Sequence, residues 1–362
     1  MMGKRLGRGL CLGSILILLL GGTAWSASLD GLALYAKECA SCHGKDGRGS
    51  PEGTGLTVPL PDFTDCSSNS SASTSDWTDI ITNGSTFTGL SDQMPAFGEV
   101  LGPEEIRTVL KYVRNFCREE GWPSGDLNFH KTLFTSKAFP ENEAVLKQEF
   151  IKGKKGMREW TTTLSHEQRL GARGEWELSL PYIVKETRGK TTAGPGDLSL
   201  EYKHVLSTHT EKRALTAAAL EVVFPSGDRD RGLGDGTFTF EPSFLSGIAL
   251  RQFVFQNQIQ AVLPLNEDRA ERQMRYRVAG SYVTSLLKRD LVPSLEVEFR
   301  HNLQGESNEV LLLTPQLYTG LRFRGHVALR IGAQIPIAGT DPFHYRIGAA
   351  LVWEYLEGGL WW

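Results

Sequence analysis

The last stretch of the chain alternates strictly. Phe343, Tyr345, Ile347, Ala349, Leu351, Trp353 and Tyr355 fall on one face of an extended segment; His344, Arg346, Gly348, Ala350, Val352 and Glu354 fall on the other. Successive strand side chains point to opposite sides, so period two assigns each set to its own environment. The apolar set has aromatics at both ends and aliphatics between, the profile of a strand that crosses a bilayer between two aromatic girdles. The pattern recurs upstream. Val327, Leu329, Ile331, Ala333, Ile335 and Ile337 oppose Arg330 and Gln334. Phe253, Phe255, Ile259, Ala261 and Leu263 oppose Gln252, Gln256, Gln258 and Gln260. Leu295, Val297 and Phe299 oppose Glu296, Glu298 and Arg300, and Trp176, Leu178, Leu180 and Tyr182 oppose Glu175 and Glu177. A soluble sandwich or lipocalin-like barrel could also alternate. Against those stand the strand lengths, many reaching the ~9–11 residues of a tilted transmembrane strand, and a charged face that returns in segment after segment, as a wet lumen requires. No cysteine staples this half. We expect an antiparallel transmembrane β-barrel of about twelve strands over residues 143–362.

The chain begins with a segment of another kind. Lys4, Arg5 and Arg8 precede an apolar run, Leu10 to Leu20, too short for a membrane helix, and Ala24-Trp25-Ser26 fits a small-x-small cleavage site. Residues 1–26 read as a secretory signal, the alternative being an uncleaved anchor. Removing them takes the formal net charge from −3 to −6, which argues against a nucleic-acid partner. Cys11 leaves with the signal. Cys39, Cys42, Cys66 and Cys117 remain, in an oxidising compartment. Cys66 and Cys117 could form a disulfide or stay as two thiols.

Character changes near residue 125, where Gly121-Trp122-Pro123-Ser124-Gly125 marks a boundary. Ahead of it lie three helical signals. Ser28 to Cys39 places Leu32 and Tyr35 on one face, and Asp76 to Asn83 stops at Gly84. Pro103 to Glu120 starts with Pro103, Glu104 and Glu105 at its positive end and carries the stripe Ile106, Val109, Leu110, Val113 and Phe116. Ser67 to Ser75 reads as a surface loop.

Cys39-Ala40-Ser41-Cys42-His43 is the covalent attachment motif of a c-type haem. Two thiols three residues apart reach both vinyl groups of one porphyrin from a single helical turn, and the next residue offers its imidazole to the iron. A redox dithiol would not need His43. A zinc site would need more ligands, and the next histidine is His130. The sixth ligand follows from counting: Met94, 51 residues after His43, is the one methionine between His43 and residue 156, and Pro95 stiffens its loop. Methionine raises the haem potential relative to a second histidine. The other candidate is His130.

These residues resemble class I monohaem cytochromes c across residues 28–120, through the CASCH run, Gly44-Lys45-Asp46-Gly47, Met94-Pro95-Ala96-Phe97 and Leu110-Lys111-Tyr112-Val113-Arg114. The resemblance implies a small all-α domain with one haem c, a loop proline (Pro51 here) whose carbonyl holds the proximal imidazole, and an aromatic near the propionates. Trp77 has that placement, though a lone aromatic on a helix is also ordinary core. From about residue 170 the chain resembles the outer-membrane barrel family of transporters linked to aromatic degradation. The likeness rests on Glu177 to Tyr182, Gly196 to Tyr202, Phe224 to Asp228, Gly232 to Gly236 and the aromatic terminus Trp361-Trp362. The layout is similar to outer-membrane cytochrome–porin fusions, some of which oxidise ferrous iron.

The expected organisation is a signal at 1–26, a cytochrome c domain at 27–121, a linker at 122–142 and the barrel at 143–362. An even-stranded barrel puts both its termini in the periplasm, so the haem domain belongs at the periplasmic mouth, below it or partly plugging it. The function expected is electron transfer to a periplasmic carrier protein, with outer-membrane lipid around the barrel and a small donor such as ferrous iron entering the lumen. The alternatives are a barrel that only anchors the cytochrome, and a solute channel that the cytochrome gates.

Overall fold

The computed structural model describes residues 30–49, 54–58, 60–89, 91–286, 289–304, 309–321, 327–339 and 343–355. The signal, Pro51 and the terminal Trp361-Trp362 lie outside these residues. Among those described, no helix is long and apolar enough to cross a membrane.

The N-terminal domain is helical: α1 (Gly31–Glu38), α2 (Ala40–His43), α3 (Cys66–Ser71), α4 (Thr74–Asn83), α5 (Ser85–Thr88) and α6 (Pro103–Arg114). α6 opens with Pro103 in its first turn, and Glu105 Oε2 accepts the Gly102 N–H at 2.8 Å. Its stripe Ile106, Val109, Leu110 and Val113 is buried as expected. α1 turns a different face inward from the one expected: Tyr35 is buried while Leu32 is 54% exposed. The cause is Gly31, where a Cβ would sit 2.9 Å from the Thr108 carbonyl oxygen on α6. Gly31 and Tyr35, four apart, form the contact face and Leu32 lies off it.

The serine-rich stretch is a second departure. Asp65 caps α3 by accepting the Ser67 and Ser68 N–H groups at 3.0 and 3.4 Å, and Ser67, Ser70 and Ser73 are buried. Helix α6 stops six residues short of Glu120, and Cys117 beyond it is bonded to Cys66. The disulfide, not a pair of thiols, ties the start of α3 to the end of α6.

The second domain is a closed antiparallel barrel. Its strands are β1 (Glu143–Gly153), β2 (Arg158–Leu170), β3 (Gly174–Thr187), β4 (Lys190–Pro195), β5 (Ser199–His209), β6 (Ala214–Val223), β7 (Thr239–Leu250), β8 (Phe253–Pro264), β9 (Gln273–Tyr282), β10 (Thr284–Leu286), β11 (Arg289–Asn302), β12 (Glu309–Leu321), β13 (Val327–Gly339) and β14 (Phe343–Glu354). β4 and β10 are short additions paired to β3 and β11; the other twelve close the wall where β1 meets β14. Glu143 pairs with Glu354, so the barrel begins and ends at one rim. That rim carries the tight turns at Gly171–Arg173 and Thr210–Arg213, while the opposite rim carries the long connections 224–238 and 265–272.

The outer wall is apolar: Leu180, Tyr182, Phe255, Ile259, Ile331, Ile335, Ile347 and Leu351 are all exposed. This is a membrane barrel's surface. Phe343 does not join them and is 4% exposed, because a bulge opposite Lys152 and Gly153 shifts the register at the end of β14.

The segment read as a linker is inside the barrel. After a 3-10 turn at Gly125–Leu127, residues 128–142 run through the lumen without regular structure. Leu127, Phe129, Ala138 and Phe139 pack with Leu215, Ala217, Leu245 and Ala249 of the wall. Leu133 packs with Val145, Ala328, Ala350 and Val352. Backbone amides of the segment are received by wall side chains: Leu133 N–H by Gln316 Oε1 at 2.8 Å, Ser136 N–H by Gln258 Oε1 at 3.1 Å, Glu141 N–H by Glu175 Oε2 at 2.5 Å. Gln256 Nε2 donates to the His130 carbonyl at 2.8 Å. Lys131 pairs with Glu167, and Lys137 with Glu141. The inward carboxylates that suggested a wet lumen are thus nearly dry, with Glu296 0% and Glu298 1% exposed.

The disulfide closes a loop of 51 residues in sequence separation. Chain-entropy reasoning gives about 4 kcal/mol for a loop of that size. Replacing both Cys66 and Cys117 by Ser is expected to lower the melting temperature of the helical domain's far-UV signal and leave the barrel's strand signal unchanged. Thermal scans in detergent, with thiol titration of the denatured wild type, check both parts.

Candidate haem site

α1 breaks at Cys39, which leaves the helix and caps the start of α2. Cys42 and His43 lie on α2, so both thiols and the imidazole leave the backbone within about one helical turn. Both thiols are free and half-buried, although the structure's other cysteine pair is oxidised. Burial pushes the Cys39 thiol up to about 11. The chain around them is fixed from α1: Tyr35 Oη donates to the Gly44 carbonyl at 2.7 Å. Gly44 has φ +75°, and a Cβ there would lie 2.9 Å from the Gly49 carbonyl oxygen. Only glycine allows so sharp an exit from the motif.

His43 packs against Phe63, ring centroids 4.9 Å apart and 26° between planes. Burial lowers its pKa, which favours the neutral imidazole that can ligate a metal. Its Nδ1 is buried with no hydrogen-bond partner among the described residues; Pro51, whose carbonyl was expected there, lies outside them. Free thiols at the attachment spacing and a half-buried imidazole with a buried, unsatisfied Nδ1 fit a covalently bound haem. The loop after the motif returns to it: Gly49 N–H donates to the His43 carbonyl at 3.1 Å and Phe63 N–H to the Gly47 carbonyl at 2.7 Å.

Met94 sits on a second loop, laced to the end of α4. Ser85 N–H donates to the Met94 carbonyl at 3.2 Å, and Met94 N–H donates to Ser85 Oγ at 3.3 Å. Phe97 and Gly98 N–H groups reach the Ile81 and Thr82 carbonyls at 2.8 and 3.0 Å. Gln93, beside the methionine, spans to the other loop. Its Oε1 accepts the Thr57 and Val58 N–H groups at 3.0 and 3.3 Å, and its Nε2 donates to Thr57 Oγ1 at 2.8 Å.

His130 is elsewhere. It lies in the lumen, Nε2 3.4 Å from Asp290 and its ring 4.5 Å from that of Tyr318. Those contacts belong to the barrel filling and leave Met94 as the better sixth-ligand candidate. Trp77 is core: it packs in both apolar clusters of the helical domain, and the Arg114 guanidinium lies 4.0 Å over its ring.

The helical domain is docked on the rim where the barrel begins and ends. Arg169, at the end of β2, donates to Ser70 Oγ and Ser71 Oγ at 3.2 Å each and lies 5.0 Å over the Trp122 ring. Arg173 Nε donates to the Gly121 carbonyl at 3.1 Å, and Asn128 Nδ2 to the Ser71 carbonyl at 2.7 Å. Sequence reasoning expected the helical domain at a mouth of the barrel but missed the residues that join them and the lumen filling. A signal was present: Gly348, Ala350 and Val352 sit on the face of β14 assigned to water, where a wet lumen offers no reason for them.

Residues 27–113 match the family described as cytochrome c oxidase, cbb3-type, subunit III. No curated protein matches. Among solved structures, an outer membrane channel from Pseudomonas putida F1 is similar at 14% identity and TM-score 0.49, covering 63% of this chain and 100% of that one. The NanC porin is similar at 10% identity and TM-score 0.43, covering 59% and 100%. The KdgM porin is similar at 8% identity and TM-score 0.37, covering 59% and 99%. The chain thus joins a helical domain that matches a cytochrome c-type family model to a closed barrel of twelve long strands with an apolar outer wall.

Proposed function

We propose that this chain is an electron-transfer protein of the Gram-negative outer membrane, carrying one haem c bound through Cys39 and Cys42, with His43 and Met94 as axial ligands. The observation that carries the reading is the pair of free thiols beside a half-buried imidazole at one short helix and its N-cap, inside a domain matched to a cytochrome c family. When bound, the haem supplies reversible one-electron uptake at its iron. The protein's own part is to hold it. Cys39 and Cys42 would attach the haem, Phe63 packs on His43, and Ser85 fixes the backbone of Met94.

Even-stranded barrels keep both termini in the periplasm. The helical domain sits on the rim that bears Glu143 and Glu354, so we place it there. Electron exchange then occurs with a periplasmic carrier protein, and the barrel serves as anchor. The packed segment 125–142 argues against a small donor, ferrous iron included, reaching the haem through the lumen.

Four outcomes are expected. Met94→Ala abolishes the near-infrared methionine–iron charge-transfer band and lowers the haem potential; an unchanged band refutes the ligand. In liposomes of fixed orientation, an impermeant reductant reduces the haem from the helical-domain side alone. Reduction by ferrous iron added to the opposite side would overturn the anchor reading. In planar bilayers the full chain should show no porin-sized conductance. Removing residues 126–141 should create it.

A further inference from the structure

Two loops bear on the proposed axial ligands, one following His43 and one carrying Met94, and they are far apart in sequence. The first, residues 44–63, leaves His43 and returns to it: Gly49 bonds the His43 carbonyl, and Phe63 packs on the imidazole. Its middle, Thr57 and Val58, has no such tie to the motif among the described residues. The second loop, around Met94, is fastened to α4 and α5 through Ser85, Phe97 and Gly98. Each loop is thus anchored on its own side. Gln93 crosses between them.

The chemistry of the crossing suits a primary amide. Gln93 Oε1 accepts two adjacent backbone N–H groups, at 3.0 and 3.3 Å, and Nε2 meets a hydroxyl at 2.8 Å. Two donors face one atom, so the amide orientation is fixed by its partners. The residue next to it is Met94, and the sequence separation bridged is 35 to 36. A side chain that pins the neighbouring residue limits how far the methionine backbone can swing from the iron.

We propose that Gln93 is a positioning residue: it clasps the methionine loop to the loop of the proximal histidine and so keeps Met94 on the haem iron. This rests on the Met94 ligation above. Without the clasp the Met94 loop still has its Ser85 tie, so the bond survives but opens more often, and an external ligand competes better.

Imidazole titration of the ferric full-length protein reads this directly, because imidazole replaces methionine and bleaches the charge-transfer band. In Gln93→Ala the half-displacing concentration should fall about five- to tenfold, the scale of losing a few partly solvated hydrogen bonds. Gln93→Glu keeps the acceptor for both N–H groups and should stay within about threefold of wild type. Thr57→Val, at an exposed position, removes only the hydroxyl contact and should shift the titration by about twofold; it carries the test if Gln93→Ala loses its helical signal. Unchanged titrations in Gln93→Ala, or in Thr57→Val where it substitutes, overturn the clasp and leave Met94 ligation standing. A wild type with no charge-transfer band overturns both.

Discussion

The fold depends on a segment of chain filling the barrel. Twelve strands enclose an interior that wall side chains alone do not fill, since about eight already suffice for side chains to close the space. The lumen wall here combines carboxylates and glutamines with small apolar residues. Either set left bare would be costly in a dry cavity. Residues 125–142 meet both. Phe129 lies over Gly247, where a Cβ would come within 3.1 Å of its ring, and Leu133 lies over Gly332, where the distance would be 2.8 Å. Gln316, Gln258 and Glu175 each take a backbone amide of the segment. Lys131 and Lys137 bring positive charge among Glu167, Glu141 and Glu143. Removing one partner of such a buried pair strands the other, which makes the filling hard to take apart piecemeal.

That filling also locates the helical domain. Asn128 is bonded to Ser71 of α3, and Leu127 is already buried against the wall, so no slack separates the two units. Arg169 finishes the join, with Ser70 and Ser71 on its guanidinium and Trp122 and Phe139 beside its plane. Planar guanidinium groups serve well at such junctions because they stack and donate at once. Ser70 of α3, in a stretch that composition alone reads as a surface loop, is buried because it meets this arginine and the Pro123 carbonyl.

The sequence made the two halves legible for different reasons. The attachment motif is a short chemical constraint, and Cys39, Cys42 and His43 need no tertiary information to be read. The barrel is a long periodic constraint, and lipid-facing residues such as Ile331, Ile347 and Leu351 follow from period two alone. What failed depends on contacts between distant segments. Leu32 was assigned inward because helical spacing cannot know that Gly31 touches α6. Phe343 was assigned outward because a bulge resets the register. Residues 122–142 were assigned to a linker because a chain with no periodicity looks the same whether it is solvated or packed in a lumen.

The inward face of β14 shows how that last reading could have been sharpened. Its order is His344, Arg346, Gly348, Ala350, Val352 and Glu354. Charge at both ends with small apolar residues between fits a wall that receives a side chain, and Leu133 is the side chain received. A water-filled channel has no use for that apolar middle, whereas a packed one does. The same reasoning applies to Ala217 and Ala219 of β6, which share one buried cluster with Phe129 and Phe139. Small apolar residues at lumen positions therefore distinguish a filled barrel from an open one. In this chain they mark an interior packed by its own segment, with the helical domain seated on the rim where that segment enters.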